Sequence, residues 1–157
     1  MAKAKSPIPE GFHTVTPQLT LDNCADAIEW YKKGLGAQEV SRAVGPDGKI
    51  MHAEIKIGDS ILFVSDECRE VPNSCRAPET LKGTSAALFL YVPDVDAAFA
   101  QAVKAGGKVN MPLTDMFWGD RYGQLRDPFG HSWSIAHQLD PLSPEEIRRR
   151  AGRHFES

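Results

Sequence analysis

His52 and Glu54 stand two residues apart in the stretch Ile50-Met51-His52-Ala53-Glu54-Ile55-Lys56-Ile57. In a strand, such residues point to the same side. An imidazole beside a carboxylate can trade a proton or hold a cation, and the same pair serves equally as polar lining of a cleft or surface. A second concentration of chemistry runs from Phe117 to Trp133. There Phe117, Trp118, Tyr122 and Phe129 gather with Arg121 and Arg126 around an Asp127-Pro128-Phe129-Gly130 turn. Rings supply stacking area, and arginine supplies a cation–π or bidentate carboxylate contact. Phe117, Trp118, Arg121, Tyr122 and Arg126 are therefore candidates for holding a flat or aromatic molecule. No Gly-x-Ser-x-Gly elbow, phosphate-binding loop or dinucleotide fingerprint accompanies them.

The elements that must position these residues come in two similar sets. Leu19-Thr20-Leu21-Asp22-Asn23 precedes a helical pattern of Ala27, Ile28, Trp30, Tyr31 and Leu35. Leu90-Tyr91-Val92-Pro93-Asp94 precedes another, of Val95, Ala98, Phe99, Ala102 and Val103. An offset of 71 residues relates Leu19 to Leu90 and Gly36 to Gly107, and also places Asp59 on Gly130. This reads as a duplicated module. Each module is strand, helix, strand, strand, strand. The first has strands at 14–21, 38–44, 50–57 and 60–66, with Asp22 or Asn23 capping its helix and Gly34 and Gly36 stopping it. The second has strands at 84–92, 107–112, 121–126 and 132–137 and a helix over 94–105. Between them, 67–83 is polar and aperiodic, a linker or lid. From Ser143 the chain reads as a capped helix with Pro144 at its first position.

Alternation predicts that Met51, Ala53, Ile55 and Ile57 face the helix, and that His52, Glu54 and Lys56 face away from it. A βαβββ unit cannot cover both faces of its sheet, so paired units should leave a concave cleft. The expected fold is α+β: two tandem βαβββ modules with curved mixed sheets around a cleft, plus a C-terminal helix. The domain limits are a mobile tail at 1–12, one domain at 13–138 (modules 13–66 and 84–138, linker 67–83) and a helical tail at 139–157.

With 41% apolar and 25% charged residues, the 157-residue chain has an ordinary globular composition. A formal net charge of -3 argues against nucleic acid as partner. Arg148-Arg149-Arg150 suits the end of a helix. No apolar run approaches the ~20 residues that span a bilayer, and the first residues lack a secretory apolar core. Three cysteines without metal-like spacing fit a reducing, cytoplasmic setting. Cys68 and Cys75, in the polar stretch, are either ordinary free cysteines or reactive thiols.

The layout resembles the vicinal oxygen chelate superfamily, the glyoxalase, bleomycin-resistance and dioxygenase group, and within it a PhnB-like branch. The resemblance spans about 13–138 and rests on Leu88 to Ala97 (LFLYVPDVDA), Ala105-Gly106-Gly107, Trp118-Gly119-Asp120-Arg121, and Asp127 to Trp133 (DPFGHSW). It implies paired modules, a homodimer and a cleft, but no single reaction. Metal-dependent members carry His or Glu on the first and last strands of each module. The matching positions here are Thr16, Phe63, Ala87 and Ser134, with no His, Asp, Glu or Cys within two residues of any. No metal or other cofactor is therefore expected at the usual positions. The resemblance implies a metal-free binder of a small, aromatic or antibiotic-like molecule in the intermodule cleft, with Phe63 added to its lining. The alternative is a lyase, isomerase or dioxygenase of the same superfamily with a non-standard metal site, for which His52 and Glu54 are the catalytic candidates. Whether the chain is an enzyme is left open between these two.

Overall fold

The computed structural model describes residues 6–155. The chain folds as two units that divide after Gly83. The first contains β1 (Gln18–Leu21), α1 (Cys24–Leu35), β2 (Gln38–Val44), β3 (Ile50–Ile57), β4 (Ser60–Asp66) and a short α2 (Pro78–Leu81). The second contains β5 (Ala87–Tyr91), α3 (Val95–Lys104), β6 (Lys108–Asp115), β7 (Asp120–Arg126), β8 (Ser132–Gln138) and α4 (Pro144–Phe155). The sheets run β1-β4-β3-β2 and β5-β8-β7-β6. In each, only the first and last strands pair in parallel, and the helix between strands one and two makes the crossover. The fold is α+β, two tandem βαβββ modules with mixed sheets and a C-terminal helix.

Local chemistry sets these boundaries. The Asn23 side chain accepts the Asp26 amide at 3.2 Å, and Gly36 ends α1 in a left-handed conformation at φ 67°. Cys24, Ala27, Ile28 and Tyr31 form the buried stripe of α1, against the sheet residues Leu21, Ala53, Ile55 and Val64. In the second unit Asp94 caps α3 through the Ala97 amide at 3.0 Å, and Val95, Phe99 and Ala102 are buried. Ser143 caps α4 through the Glu146 amide at 3.2 Å.

The parallel registers carry the duplication. Gln18 pairs with Phe63 and Phe89 with Ser134, each member 71 residues from its counterpart. The offset is not constant through the hairpin. Glu54 lies opposite Phe63 while Gln124 lies opposite Ser134, an offset of 70 for these inner strands. The turn after β7 takes up the difference.

Four expectations are corrected by backbone detail. Met51 does not face the helix: Ala43 pairs with His52 and Val44 with Ile50, so Met51 is the extra residue of a bulge, 69% exposed beside a buried Ile50. β1 begins at Gln18 and β5 at Ala87, later than 14 and 84. β6 continues past Pro112 to Asp115. It is an edge strand whose register shifts between Met111 and Thr114, where a missing amide costs no ladder bond. The 67–83 stretch contains α2 and belongs to the first unit. Of the expected mobile tail, 1–5 lies outside the described residues; further on, Phe12 sets its ring 5.7 Å from that of Phe63. No helix among the described residues is long and apolar enough to cross a membrane.

The β7–β8 turn is held by one buried carboxylate. Asp127 Oδ1 accepts the Phe129 and His131 amides at 2.9 and 3.0 Å, and Oδ2 accepts the Trp133 indole N–H at 2.8 Å. Trp133 is fully buried, so its N–H has no water to turn to. Asp127→Ala strands three donors at once, each worth about 1–3 kcal/mol when left unpaired. The variant should lose roughly 3 kcal/mol or more in a denaturant titration, whereas Asp59→Ala in the exposed turn of the first unit should fall within about 0.5 kcal/mol of the parent.

Candidate functional site

In β7 the side chains that meet the helix are Arg121, Gly123 and Leu125. Arg121 Nε and Nη2 donate to the Asp96 carboxylate of α3 at 3.1 and 2.8 Å, and Nη1 donates to Asp115 at 2.9 Å. A Cβ on Gly123 would stand 2.7 Å from the Phe99 ring, and Leu125 is fully buried. Asp120, Tyr122, Gln124 and Arg126 consequently share the opposite, open face. Along β5 the same alternation puts Phe89 and Tyr91 there, 47% and 66% exposed.

These residues form one connected aromatic surface. Phe89 and Tyr122 stack at 5.6 Å with 25° between planes, Tyr91 lies 5.0 Å from Phe89, and Trp118 meets Tyr122 edge-on at 5.7 Å. Phe117 extends the row, 5.1 Å from Trp118 and 5.2 Å from His154 of α4. Polar contacts fix the rings. Asp120 Oδ2 accepts both the Tyr91 hydroxyl at 2.9 Å and the Trp118 indole N–H at 3.1 Å, with Asp120 only 4% exposed. The Tyr122 hydroxyl bonds Ser134 Oγ at 3.0 Å. The hydrogen bond to Asp120 holds the Tyr91 phenol above its ordinary pKa.

Trp118 owes its place to a turn. Gly119 adopts φ 99°, its amide donates to the Met116 carbonyl at 3.0 Å, and its own carbonyl accepts the Leu139 and Asp140 amides at 2.8 and 3.0 Å. Any side chain on Gly119 would press into the Asp140 carbonyl oxygen. This crossing of β8's end over the turn leaves Trp118 beside Tyr122.

The expected ligand residues thus divide. Phe117, Trp118 and Tyr122 come together; Arg126 shares their face, exposed at the end of β7. Arg121 does not join them, because two carboxylates on the other side of the sheet engage its guanidinium. Phe63 belongs to the first unit, where it touches Phe12 and lies 4.7 Å from the His52 ring. Glu54, Phe63 and Thr16 line a cavity of about 530 Å³ there, with Phe12 and His13. His52 Nε2 is 3.7 Å from Glu54 Oε1, longer than a hydrogen bond. Phe89, Tyr91 and Asp120 were not among the expected site residues. The phenylalanine–tyrosine alternation in β5 could have indicated the first two, whereas Asp120 acquires its role only when β5 and the Trp118 turn converge on it.

The donor set does not fit a metal at the superfamily positions. Phe63 offers a hydrocarbon ring, Ala87 a methyl group, and the Ser134 hydroxyl is engaged by Tyr122. Among the described residues no group of three or more His, Cys, Asp or Glu side chains is arranged to hold a metal ion.

The model of the glyoxalase/bleomycin resistance protein/dioxygenase superfamily matches residues 11–135. The Mycobacterium tuberculosis protein Rv0887c is 40% identical over 138 residues, covering 85% of this chain and 79% of its own. The crystal structure of TioX from Micromonospora sp. ML1 superposes with a TM-score of 0.66 at 26% identity, over 82% of this chain and all of that one. The PhnB protein from Bacillus cereus shares the fold, with a TM-score of 0.60 at 20% identity over 80% of this chain and 99% of its own.

The shared carboxylate has a spectroscopic consequence. In Asp120→Asn the Tyr91 phenol faces a neutral amide, so its titration should move down toward the ordinary tyrosine range. Alkaline difference absorbance at the phenolate band, with Tyr91→Phe to assign the signal, checks the direction; an unmoved titration would contradict the hydrogen bond.

Proposed function

The chain belongs to the glyoxalase/bleomycin resistance protein/dioxygenase superfamily, and on that premise we propose that it binds a small planar or aromatic molecule, without a catalytic metal, against the open face of its second unit. The observation that carries this reading is the stacked Phe89–Tyr122 pair with Trp118 at its edge, on a face where Phe89 and Tyr91 remain largely exposed. Fixed rings lose little freedom when a ligand arrives. Arg126 at the end of the same face supplies a cation for an acidic substituent. The homodimer and cytoplasmic setting expected from the sequence, and the PhnB-like branch, belong to the same proposal. Sedimentation of the purified chain reads out the dimer.

A second reading is favoured by one observation. The 530 Å³ cavity of the first unit brings Glu54 and His13 together with the Phe12 and Phe63 rings, the setting of an acid–base group in an apolar wall. On this reading the protein is a lyase, isomerase or dioxygenase of the superfamily, and His52 and Glu54 carry the proton transfers.

A thermal-shift screen with planar aromatics and glycopeptide antibiotics, followed by titration of Trp118 fluorescence, separates the two. For the binder, Tyr122→Ala or Phe89→Ala should weaken affinity by about 2- to 10-fold each, the worth of one aromatic contact. His52→Ala and Glu54→Ala should leave it unchanged, as should dialysis against a chelator. Loss of affinity on chelation, or an activity that disappears with Glu54, would overturn the metal-free reading.

A further inference from the structure

The segment after β4 carries two cysteines that neither reading uses. It is anchored at both ends: buried Glu67 accepts the Thr80 hydroxyl at 2.6 Å and the Ala77 amide at 3.1 Å. Between these anchors the chain doubles back, with Asn73 at φ 60° and the Ser74 amide donating to the Val71 carbonyl at 3.4 Å. On the return leg the Ser74 hydroxyl and the Arg76 guanidinium both donate to the carbonyl oxygen of Cys68, at 2.8 and 3.0 Å. The two neighbours of Cys75 are thereby tied to the backbone of Cys68. Both thiols are exposed, and both line a cavity of about 620 Å³ bounded by Ile50, Met51 and Val71. The Cys68 thiol donates to Glu70, its sulfur 3.5 Å from Oε2. Cys24 is unlike them: it is fully buried at the start of α1, and burial, with Asp66 nearby, pushes its thiol up to about 12.

We propose that Cys68 and Cys75 are a modification site, closing into a reversible disulfide beside this cavity when the protein meets a hydroperoxide. The sulfur of one thiolate attacks the peroxide oxygen, forming an S–O bond and breaking the O–O bond. The products are a sulfenic acid and, after proton uptake, water or an alcohol. The second thiolate attacks that sulfur, forms the S–S bond and expels hydroxide, which leaves as water with the proton released by the second thiol. The cysteine pair loses two electrons and the peroxide gains them. A dithiol reverses the reaction by exchange. Side-chain tethers from Ser74 and Arg76, the two flanks of Cys75, to the Cys68 carbonyl hold the two cysteines on facing legs of one loop, and a disulfide requires such proximity. The bond would lock the wall of the cavity around residues 68–75.

The test uses the reduced full-length chain, hydrogen peroxide and alkylation of the remaining thiols, read by intact and peptide mass. The parent should lose two hydrogen atoms within one chain, mapped to Cys68 and Cys75 and restored by dithiothreitol, while Cys24 is alkylated only after unfolding. Cys68→Ser and Cys75→Ser should each abolish the link and leave a dimedone-reactive sulfenic acid on the remaining cysteine. Near-ultraviolet circular dichroism separates this from any loss of fold. Over-oxidation of both cysteines without a link, linkage only between chains, or two free thiols after a peroxide dose that oxidises the single variants would each overturn the proposal.

Discussion

Each four-stranded sheet has two faces and only one crossover helix to cover them. The parallel pairing of first and last strands forces this arrangement, because a parallel connection must travel over one side of the sheet, and here α1 and α3 do so. One face becomes core: Leu21, Ile55 and Val64 under α1, Leu125, Trp133 and Ile135 in the second unit. The other face is left to side chains that can tolerate exposure or find another cover. The units resolve this differently. In the first, the segment around Phe12 lies against Phe63 on the open face. In the second, rings pack on rings, and Phe89 and Tyr91 stay accessible.

Carboxylates make these arrangements definite. Asp66 accepts the Cys24 amide on one oxygen and the Ile50 amide on the other, joining the end of β4 to the starts of α1 and β3. Asp127 serves a turn and an indole, and Asp120 serves a phenol and an indole. Asp66 and Asp120 accept from groups distant in sequence, Asp127 from its own turn and the strand that follows, and each so specifies one packing among several compatible with the apolar pattern. The two modules share a backbone plan while placing these acids at unrelated positions, which is how one fold carries different surfaces.

Much of the plan was legible in the sequence for physical reasons. Caps such as Asn23 and Ser143, the left-handed Gly36 and strict alternation act locally, so they show in a few consecutive residues. What escaped depends on partners far along the chain. The bulge that turns Met51 outward arises from its pairing with β2, and nothing in the β3 sequence records it. Arg121 is adjacent to Tyr122 in sequence, which suggests adjacency in space. In a strand they lie on opposite faces, and Asp96 waits on the other side. Phe89 and Tyr91 belong to a motif in the sequence, whereas their common face is what gives them a use.

The longer turn after β7 bears on how such a chain tolerates change. A residue added within a strand reverses the facing of everything beyond it, so core side chains become surface and surface side chains become core. Added at the turn, it leaves both strands in phase, and the strands on its two sides simply count from different origins. The two halves of this molecule have thus been free to drift in length as well as in side chains, provided each insertion fell at a place where direction reverses. An engineer moving residues from one half to the other would have to carry two offsets, 71 for the first and last strands and 70 for the two strands between them.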